Sequence, residues 1–260
     1  MFMKGKRGIV MGVANDHSIA WGIAKALYEQ GAELALTYQG SAFEKRVKPL
    51  AEKLEVNHIF DCDVSAENAQ QDLFEQVSGF WDSIDFVVHA IAFSDKSELK
   101  GKYAETSREN FQNTMLISCF SFTETARYAT PLMKNGGSLL TLTYAGATRS
   151  MPNYNVMGVA KAALESSVRY LATDYGADNI RVNALSAGPI RTLAGAGIGD
   201  ARSMFGFHAK HAPLEHSIGI DEVGGSALYL VSDLSKGVTG EVHFVDGGYN
   251  TIMMPRPEFL

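Results

Sequence analysis

The sequence is poor in cysteine and proline and has no surplus of positive charge. Its two cysteines, Cys62 and Cys119, lie in no Cys-x-x-Cys motif, which excludes a disulfide scaffold and is typical of a reducing compartment. Seven prolines among 260 residues form no proline-rich linker. The net charge of −6 argues against binding of nucleic acid, which depends on clustered lysine and arginine. We therefore expect a cytoplasmic protein with two buried, unpaired thiols and no nucleic-acid partner.

Long apolar runs are also missing. No charge-free stretch reaches the length of about 18 apolar residues that a membrane-spanning helix needs, so we expect no membrane insertion. The residues before Ile9 carry charge without an apolar segment, so we expect no signal peptide. The hydrophobic fraction of 46% is ordinary for a globular protein with a full core.

Short apolar runs alternate with amphipathic helical patterns along the chain. The predicted strands are 9–12, 33–38, 58–64, 85–89, 138–143, 181–185 and 241–245. The predicted helices are 18–30, 41–54, 69–81, 108–133, 156–175 and one from the N-cap Asp221 to Leu230. Such alternation predicts a parallel sheet covered on both faces. Because no linker interrupts it, we expect one doubly wound α/β domain over residues 1–260, with seven parallel strands.

A Gly-rich stretch at about 190–213 breaks this rhythm. Long loops in compact domains usually bind or cover something. Ligands of doubly wound proteins lie beyond the carboxyl ends of the strands. We therefore expect a substrate-binding loop here.

The turn from Gly12 to Ala20 joins the first strand to the first helix. Small residues there would let a phosphate approach the free N–H groups of a helix N-terminus. The usual G-x-G-x-x-G spacing is absent, so an ordinary glycine-containing turn is the alternative.

The ends of strands two and three carry Gln39 and Asp63. An amide can hydrogen-bond a ribose hydroxyl but cannot neutralise a 2′-phosphate, so Gln39 favours NADH over NADPH. Asp63 could accept a hydrogen bond from an adenine amino group. The alternatives are a solvated loop residue for Gln39 and a capping residue for Asp63.

Tyr154 and Lys161 are seven residues apart, close to two helical turns, and so share a helix face. A nearby ammonium would lower the pKa of a tyrosine, and a lysine can hold ribose hydroxyls. Tyr144, after the fifth strand, is a further candidate. The alternative is a packing tyrosine and a surface lysine.

The whole set of segments resembles the short-chain dehydrogenase/reductase superfamily and, within it, the bacterial NADH-dependent enoyl-acyl-carrier-protein reductases. The segments that carry the resemblance are Gly12-Val13-Ala14, Ser18-Ile19-Ala20, Thr37-Tyr38-Gln39, Cys62-Asp63-Val64, 154–162, Arg181-Val182-Asn183-Ala184, 186–192 and Val245-Asp246-Gly247-Gly248. Ketone reductases of this fold place their tyrosine four residues before the lysine, where this chain has Met157. Ala90 and Ala92 depart from the family's pattern after strand four.

The resemblance implies NADH-dependent reduction of the trans-2 double bond of an enoyl-acyl-carrier-protein thioester, the last step of fatty acid elongation, by a homotetramer. It implies that Tyr144, Tyr154 and Lys161 are catalytic, and that Ser94, Tyr144 and Tyr154 contact substrate. The implied NAD contacts are Gly12, Ser18, Ile19, Gln39, Asp63, Val64, Ile91, Lys161, Ile190, Arg191, Thr192, Leu193 and Ala194. A ketone reductase of the same superfamily and a nucleotide-binding regulator without turnover are the alternatives.

Two further groups are given ordinary interpretations. His208, His211 and His216 match no metal-ligand spacing, so we expect surface histidines and no metal. The basic run Lys45, Arg46 and Lys48 is interpreted as a solvated helix face, with contact to an acidic carrier protein as the alternative.

Overall fold

The computed structural model describes residues 1–192 and 201–254. The strands are β1 (Arg7–Met11), β2 (Glu33–Tyr38), β3 (His58–Asp61), β4 (Phe86–His89), β5 (Gly137–Thr143), β6 (Ile180–Ala187) and β7 (Val242–Val245). The helices are α1 (Ile19–Glu29), α2 (Ser41–Lys53), α3 (Ala69–Ser78), α4 (Arg108–Met115), α5 (Ser121–Ala129), α6 (Asn155–Tyr175), α7 (Ala201–His211) and α8 (Ile220–Val231).

The seven strands form one sheet in the order β3-β2-β1-β4-β5-β6-β7. Every neighbouring pair is parallel, which confirms the predicted doubly wound fold. The strand order reverses between β1 and β4, and in such sheets this point opens a crevice at the carboxyl ends of the strands.

The sheet is buried on both faces, as its continuous apolar strands predict. Val10 of β1 packs with α1 and α8 on one face, whereas Ile9 and Met11 pack with α3, α5 and α6 on the other. A third, smaller apolar cluster lies outside these layers and contains Leu99, Tyr154, Val156 and Met157.

The prediction of one continuous helix over 108–133 is wrong, because the chain departs from α-helical geometry at two places. Between α4 and α5, Leu116–Phe120 form a π-helical turn, and Thr130–Leu132 form a 3-10 turn. The buried Ser118 hydroxyl accepts a hydrogen bond from the Phe93 amide and donates one to the Phe93 carbonyl, both at 2.9 Å. A side chain that reaches out of the helix in this way accommodates the wider turn.

Three other expectations need correction. Asp221 is not the N-cap of α8: Gly219 is, and Asp221 pairs with Lys25 at 2.7 Å. The stretch 190–213 is not irregular throughout, because α7 lies within it, whereas residues 193–200 are outside the described part. Strand β3 ends at Asp61, and the ends of several other elements also differ by a few residues.

Two of the three predicted surface histidines are buried. His208 and His211, on α7, are 3% and 5% exposed, whereas His216 is exposed and bonds Glu222 at 2.7 Å. The sequence could not reveal this, because burial results from the docking of α7 against Tyr249, whose ring centroid lies 5.0 Å from that of His208. Within residues 1–192 and 201–254, no group of three or more metal-ligating side chains comes together.

No helix in the described part of the chain is both long and apolar enough to cross a bilayer. Cys62 and Cys119 are buried free thiols, as expected.

Candidate active site

The site lies at the carboxyl edge of the sheet. Gly12 follows β1, Ile91 follows β4, Tyr144 follows β5, and the segment 190–192 follows β6. Because all these strands run in the same direction, residues far apart in the sequence reach one crevice.

Gly12 is required by the backbone of the first turn. Its φ of +86° is one that side chains rarely allow, and a side chain there would overlap the carbonyl oxygen of Ala90 on β4's end. Its amide donates to Thr37 Oγ1 at 3.2 Å. The turn therefore holds β1, β2 and β4 close together at the crevice.

Ser18 caps α1. Its hydroxyl donates to the Asn15 carbonyl at 2.7 Å and accepts from the Trp21 amide at 3.3 Å. The half-buried Ile19 is the first helical residue and packs against the core. The first N–H groups of a helix have no intrahelical partners, so this end fits a pyrophosphate.

Gln39 and Asp63 meet at the ends of β2 and β3. Asp63 Oδ1 accepts from the Ser65 amide at 2.9 Å and its hydroxyl at 2.6 Å, which closes a turn. Partial burial opposes ionisation, but hydrogen bonds from Ser65 and Gln39 outweigh it and lower the pKa of Asp63. The observed turn matches the capping interpretation of Asp63. Gln39 is exposed at this end of the crevice.

Lys161 lies on α6 and Tyr154 is the residue just before that helix; both are buried, at 5% and 8% exposure. The Lys161 ammonium donates to the Leu142 carbonyl of β5 at 2.8 Å. Tyr154 caps α6, and a side chain at Gly146 would overlap its ring. These two positions are therefore fixed by a helix, a strand and a close backbone approach.

Tyr144 completes the group. Its ring meets that of Tyr154 at a centroid distance of 5.1 Å and an interplanar angle of 63°. Burial raises the pKa of Tyr144 to about 12, and Tyr249 adds to the shift. Its hydroxyl is therefore protonated at neutral pH.

The predicted lowering of the Tyr154 pKa is wrong. Burial raises the pKa of Tyr154 well above its ordinary value, and Tyr144 and Glu165 add to the shift. Burial also lowers the pKa of Lys161 to about 8, although Cys119 and Glu165 oppose it. The loss of hydration thus outweighs the field of the ammonium, and Tyr154 is a neutral hydroxyl that can donate a hydrogen bond.

Buried polar groups beneath Lys161 were missed by the sequence reasoning. Glu165 accepts from Thr143 Oγ1 at 2.8 Å, and burial raises its pKa. His89 contacts Ser121 Oγ at 2.8 Å, and burial lowers the pKa of His89 to about 3, with a contribution from Lys161. The available signal was the presence of polar residues inside the apolar strands β4 and β5.

Ser94 is buried in a polar network rather than free to face a ligand. Its hydroxyl donates to Asn110 Oδ1 at 3.2 Å and accepts from Thr114 Oγ1 at 2.8 Å. Val64 is buried in the core, and Ile91 packs against the same cluster. Both support the edge of the crevice by packing.

The segment after β6 extends along the crevice. Ile190 is buried, and the Thr192 amide donates to its carbonyl at 2.8 Å. Arg191 is exposed, with its guanidinium carbon 5.7 Å from the centre of the Phe205 ring. The predicted contacts Leu193 and Ala194 lie outside the described residues.

The arrangement fits a dinucleotide. The first N–H groups of α1 have no intrahelical partners. The buried Lys161 uses one of its three N–H donors for the Leu142 carbonyl. The neutral Tyr154 is the N-cap residue of the helix that carries Lys161. The Tyr154 hydroxyl has no hydrogen-bond partner among the described residues. It can therefore donate to a ligand in the crevice.

Known proteins share this architecture over almost their whole length. The family model for enoyl-(acyl carrier protein) reductase matches residues 12–250. An enoyl-[acyl-carrier-protein] reductase [NADH] of Rhizobium meliloti is 63% identical over 99% of this chain and 96% of its own length. The crystal structure of FabI from Candidatus Liberibacter asiaticus is 55% identical, covers 98% of this chain and 99% of its own, and superposes with a TM-score of 0.96.

A second solved structure contains the cofactor. The enoyl-(acyl-carrier-protein) reductase of Anaplasma phagocytophilum in complex with NAD is 55% identical, covers 98% of both chains and has a TM-score of 0.95. Because the family model covers residues 12–250 and these relatives are 55–63% identical over almost the whole chain, the chain belongs to the enoyl-acyl-carrier-protein reductase family.

Proposed function

We propose that this protein reduces the trans-2 double bond of enoyl-acyl-carrier-protein thioesters with NADH, in the last step of fatty acid elongation. The observation that carries the proposal is the buried pair Tyr154 and Lys161, with Met157 in the position where ketone reductases have tyrosine. A thioether at that position cannot donate a proton, so the geometry disfavours reduction of a ketone.

NADH, when bound, would supply the hydride that adds to Cβ of the substrate, and protonation of Cα of the resulting enolate would complete the saturated thioester. Tyr154 donates a hydrogen bond to the thioester oxygen, where negative charge develops; such a donor contributes about 3–4 kcal/mol. Its raised pKa keeps the proton on the hydroxyl at neutral pH. Tyr144 packs against it and lines the substrate side.

Lys161 orients the cofactor in this proposal. Its two remaining donors suit the hydroxyls of the nicotinamide ribose. The proposed contacts of the pyrophosphate are Gly12, Ser18 and Ile19, and those of the adenosine are Gln39, Asp63 and Val64. The proposed contacts of the nicotinamide end are Ile91, Lys161, Ile190, Arg191, Thr192, Leu193 and Ala194.

The preference for NADH is supported by the charge at the adenosine end. The lowered pKa of Asp63 keeps this carboxylate ionised beside Gln39. A 2′-phosphate at the same place would be repelled, whereas ribose hydroxyls can donate to the carboxylate.

We also propose the wider setting that the resemblance implies. Residues 1–260 form one domain in which 190–213 covers the substrate, and Ser94 supports the substrate side through its network with Asn110 and Thr114. The enzyme acts in the cytoplasm as a homotetramer. The buried free thiols suit a reducing compartment, and size-exclusion chromatography with light scattering tests the tetramer.

The test is loss of NADH absorbance with a trans-2-enoyl carrier thioester, beside a 3-oxoacyl thioester and an NADPH control. Turnover of the enoyl thioester with NADH supports the proposal. Turnover of only the 3-oxoacyl thioester overturns it in favour of a ketone reductase, and tight NADH binding without turnover overturns it in favour of a regulator.

A further inference from the structure

The loop between β4 and α4 exposes three lysines beside the site. Lys96, Lys100 and Lys102 are all exposed. None of them forms an ion pair with any residue in the described ranges. The chain as a whole carries a net charge of −6.

Two of the three acids of the same loop are used within it, whereas the third, Glu105, is exposed and forms no ion pair with any residue in the described ranges. Asp95 Oδ1 accepts from the Ser97 amide at 2.8 Å and hydroxyl at 2.7 Å. Glu98 accepts from the Ser107 amide and hydroxyl, both at 2.8 Å. These hydrogen bonds direct the carboxylates to the loop's own backbone, so they do not reach the lysine ammonium groups.

The loop is fixed to the catalytic helix. Asn155, the residue after Tyr154, directs its side-chain amide at the carbonyls of Glu98 and Gly101, each at 3.3 Å. Leu99 is buried in the small apolar cluster with Tyr154. The lysines therefore occupy a surface whose position relative to the Tyr154 hydroxyl is set by direct contacts.

We propose that Lys96, Lys100 and Lys102 form the docking surface for the acidic carrier protein that delivers the enoyl thioester. This proposal rests on the proposed function. A substrate tethered to a carrier reaches Tyr154 only if the carrier binds near the mouth of the site, and lysines there attract an acidic partner that the rest of this acidic chain repels. Tyr103, 47% exposed next to Lys102, adds an aromatic contact of the kind enriched at interfaces.

The chain offers a matched control. Lys45, Arg46 and Lys48 on α2 are also exposed, but α2 follows β2, at the Gln39 end of the crevice. In the sheet, β1 and β4 separate β2 from β5, which leads to Tyr144. This second basic run has the same charge and a different position.

The experiment compares Lys96→Ala/Lys100→Ala/Lys102→Ala with Lys45→Ala/Arg46→Ala/Lys48→Ala on two substrates. One is a trans-2-enoyl group on the carrier protein, and the other is the same acyl group on uncharged N-acetylcysteamine. We expect the loop variant to lose about tenfold in kcat/KM on the carrier substrate and to change less than about twofold on the small thioester. Added salt should lower the wild-type rate on the carrier substrate and affect the loop variant less.

Three outcomes would overturn the docking surface. Equal losses on both substrates would show that the loop shapes the site instead of docking a partner. An unchanged rate on the carrier substrate, also after substitution of the three lysines by glutamate, would place docking elsewhere. An equal loss of kcat/KM in the α2 control variant would show that the effect comes from the overall charge of the protein and not from the position of the three lysines. If the wild type reduces neither thioester, it is the proposed function that fails.

Discussion

The rings of Tyr144 and Tyr154 meet edge to face, with their centroids 5.1 Å apart. Tyr154 is buried and Tyr144 is partly buried, and the loss of hydration raises the pKa of each. The two hydroxyls are nevertheless not equivalent, because Tyr154 caps the helix that also carries Lys161, whereas Tyr144 follows β5. This relationship separates the roles of the two residues.

We expect Tyr154→Phe to lower kcat about 10²–10³-fold, since it removes the donor to the developing oxyanion. The ring and its packing remain, so NADH affinity should hardly change. Tyr144→Phe, the matched control, should lower kcat much less. Steady-state kinetics with fluorescence titration of NADH test both, and a fully active Tyr154→Phe enzyme would contradict the assigned role.

Lys161 should reduce the stability of the cofactor-free protein. Its pKa is about 8 in the folded state against 10.5 for the ordinary group, so between these values the unfolded chain binds more protons and stability rises with pH. We expect Lys161→Met to be inactive but to have a higher Tm than the wild type at pH 7, and the difference should narrow near pH 10. A lower Tm at pH 7 would show that the ammonium stabilises the fold.

His208 should make the fold sensitive to acid. Its ring lies against the backbone of Asp246, but neither nitrogen reaches hydrogen-bonding geometry. Burial lowers its pKa despite Asp246, and His216 adds to the lowering. Its contribution to stability is therefore present above pH 6.5 and lost as pH falls below it.

We expect the Tm of His208→Phe, which keeps a ring against Tyr249, to fall less than the Tm of the wild type when the pH is lowered from 7.5 to 5.5. His216→Ala provides the opposite control. A hydrogen bond to Glu222 raises the pKa of His216, so the stabilisation that it provides is present at low pH and lost as pH rises. Identical slopes in all three proteins would exclude His208 as the source.

Gly12→Ala should distort the turn between β1 and α1 and so weaken NADH binding. The variant combines a φ of +86° with overlap of the Ala90 carbonyl, so we expect NADH affinity to fall more than about tenfold and Tm to drop. Gly237→Ala is the control, because nothing lies within 4 Å of the added methyl group. Unaltered NADH binding by Gly12→Ala would show that the turn tolerates a side chain.

The sequence predicted the sheet well because strands buried on both faces and helices amphipathic on one face leave clear periodic patterns. The seven-residue spacing also predicted one helix for Tyr154 and Lys161. In the structure Lys161 lies on α6 and Tyr154 is its N-cap residue, while their catalytic roles stay predictions. The π-helical turn at Leu116–Phe120 was not predictable in this way. It depends on the contact between Ser118 and Phe93, which are 25 residues apart.

Burial of polar groups was the other failure. The position of His208 under Tyr249 and of Glu165 beneath Lys161 depends on how separate elements pack together. The sign of the Tyr154 pKa shift failed for the same reason. The spacing of charged residues along a helix is visible in the sequence, but the loss of hydration when those residues are buried is not.

Lys161 lies on α6 and Tyr154 is the N-cap residue of that helix, so their separation depends on the number of helical residues between them. A helix turns by about 100° per residue, so insertion of one residue between them would rotate Lys161 away from the Leu142 carbonyl while leaving every side chain in the sequence intact. Substitutions in this segment should therefore disturb the relative positions of Tyr154 and Lys161 less than insertions or deletions do. Natural or engineered variants should tolerate many replacements between the two residues and no insertion or deletion.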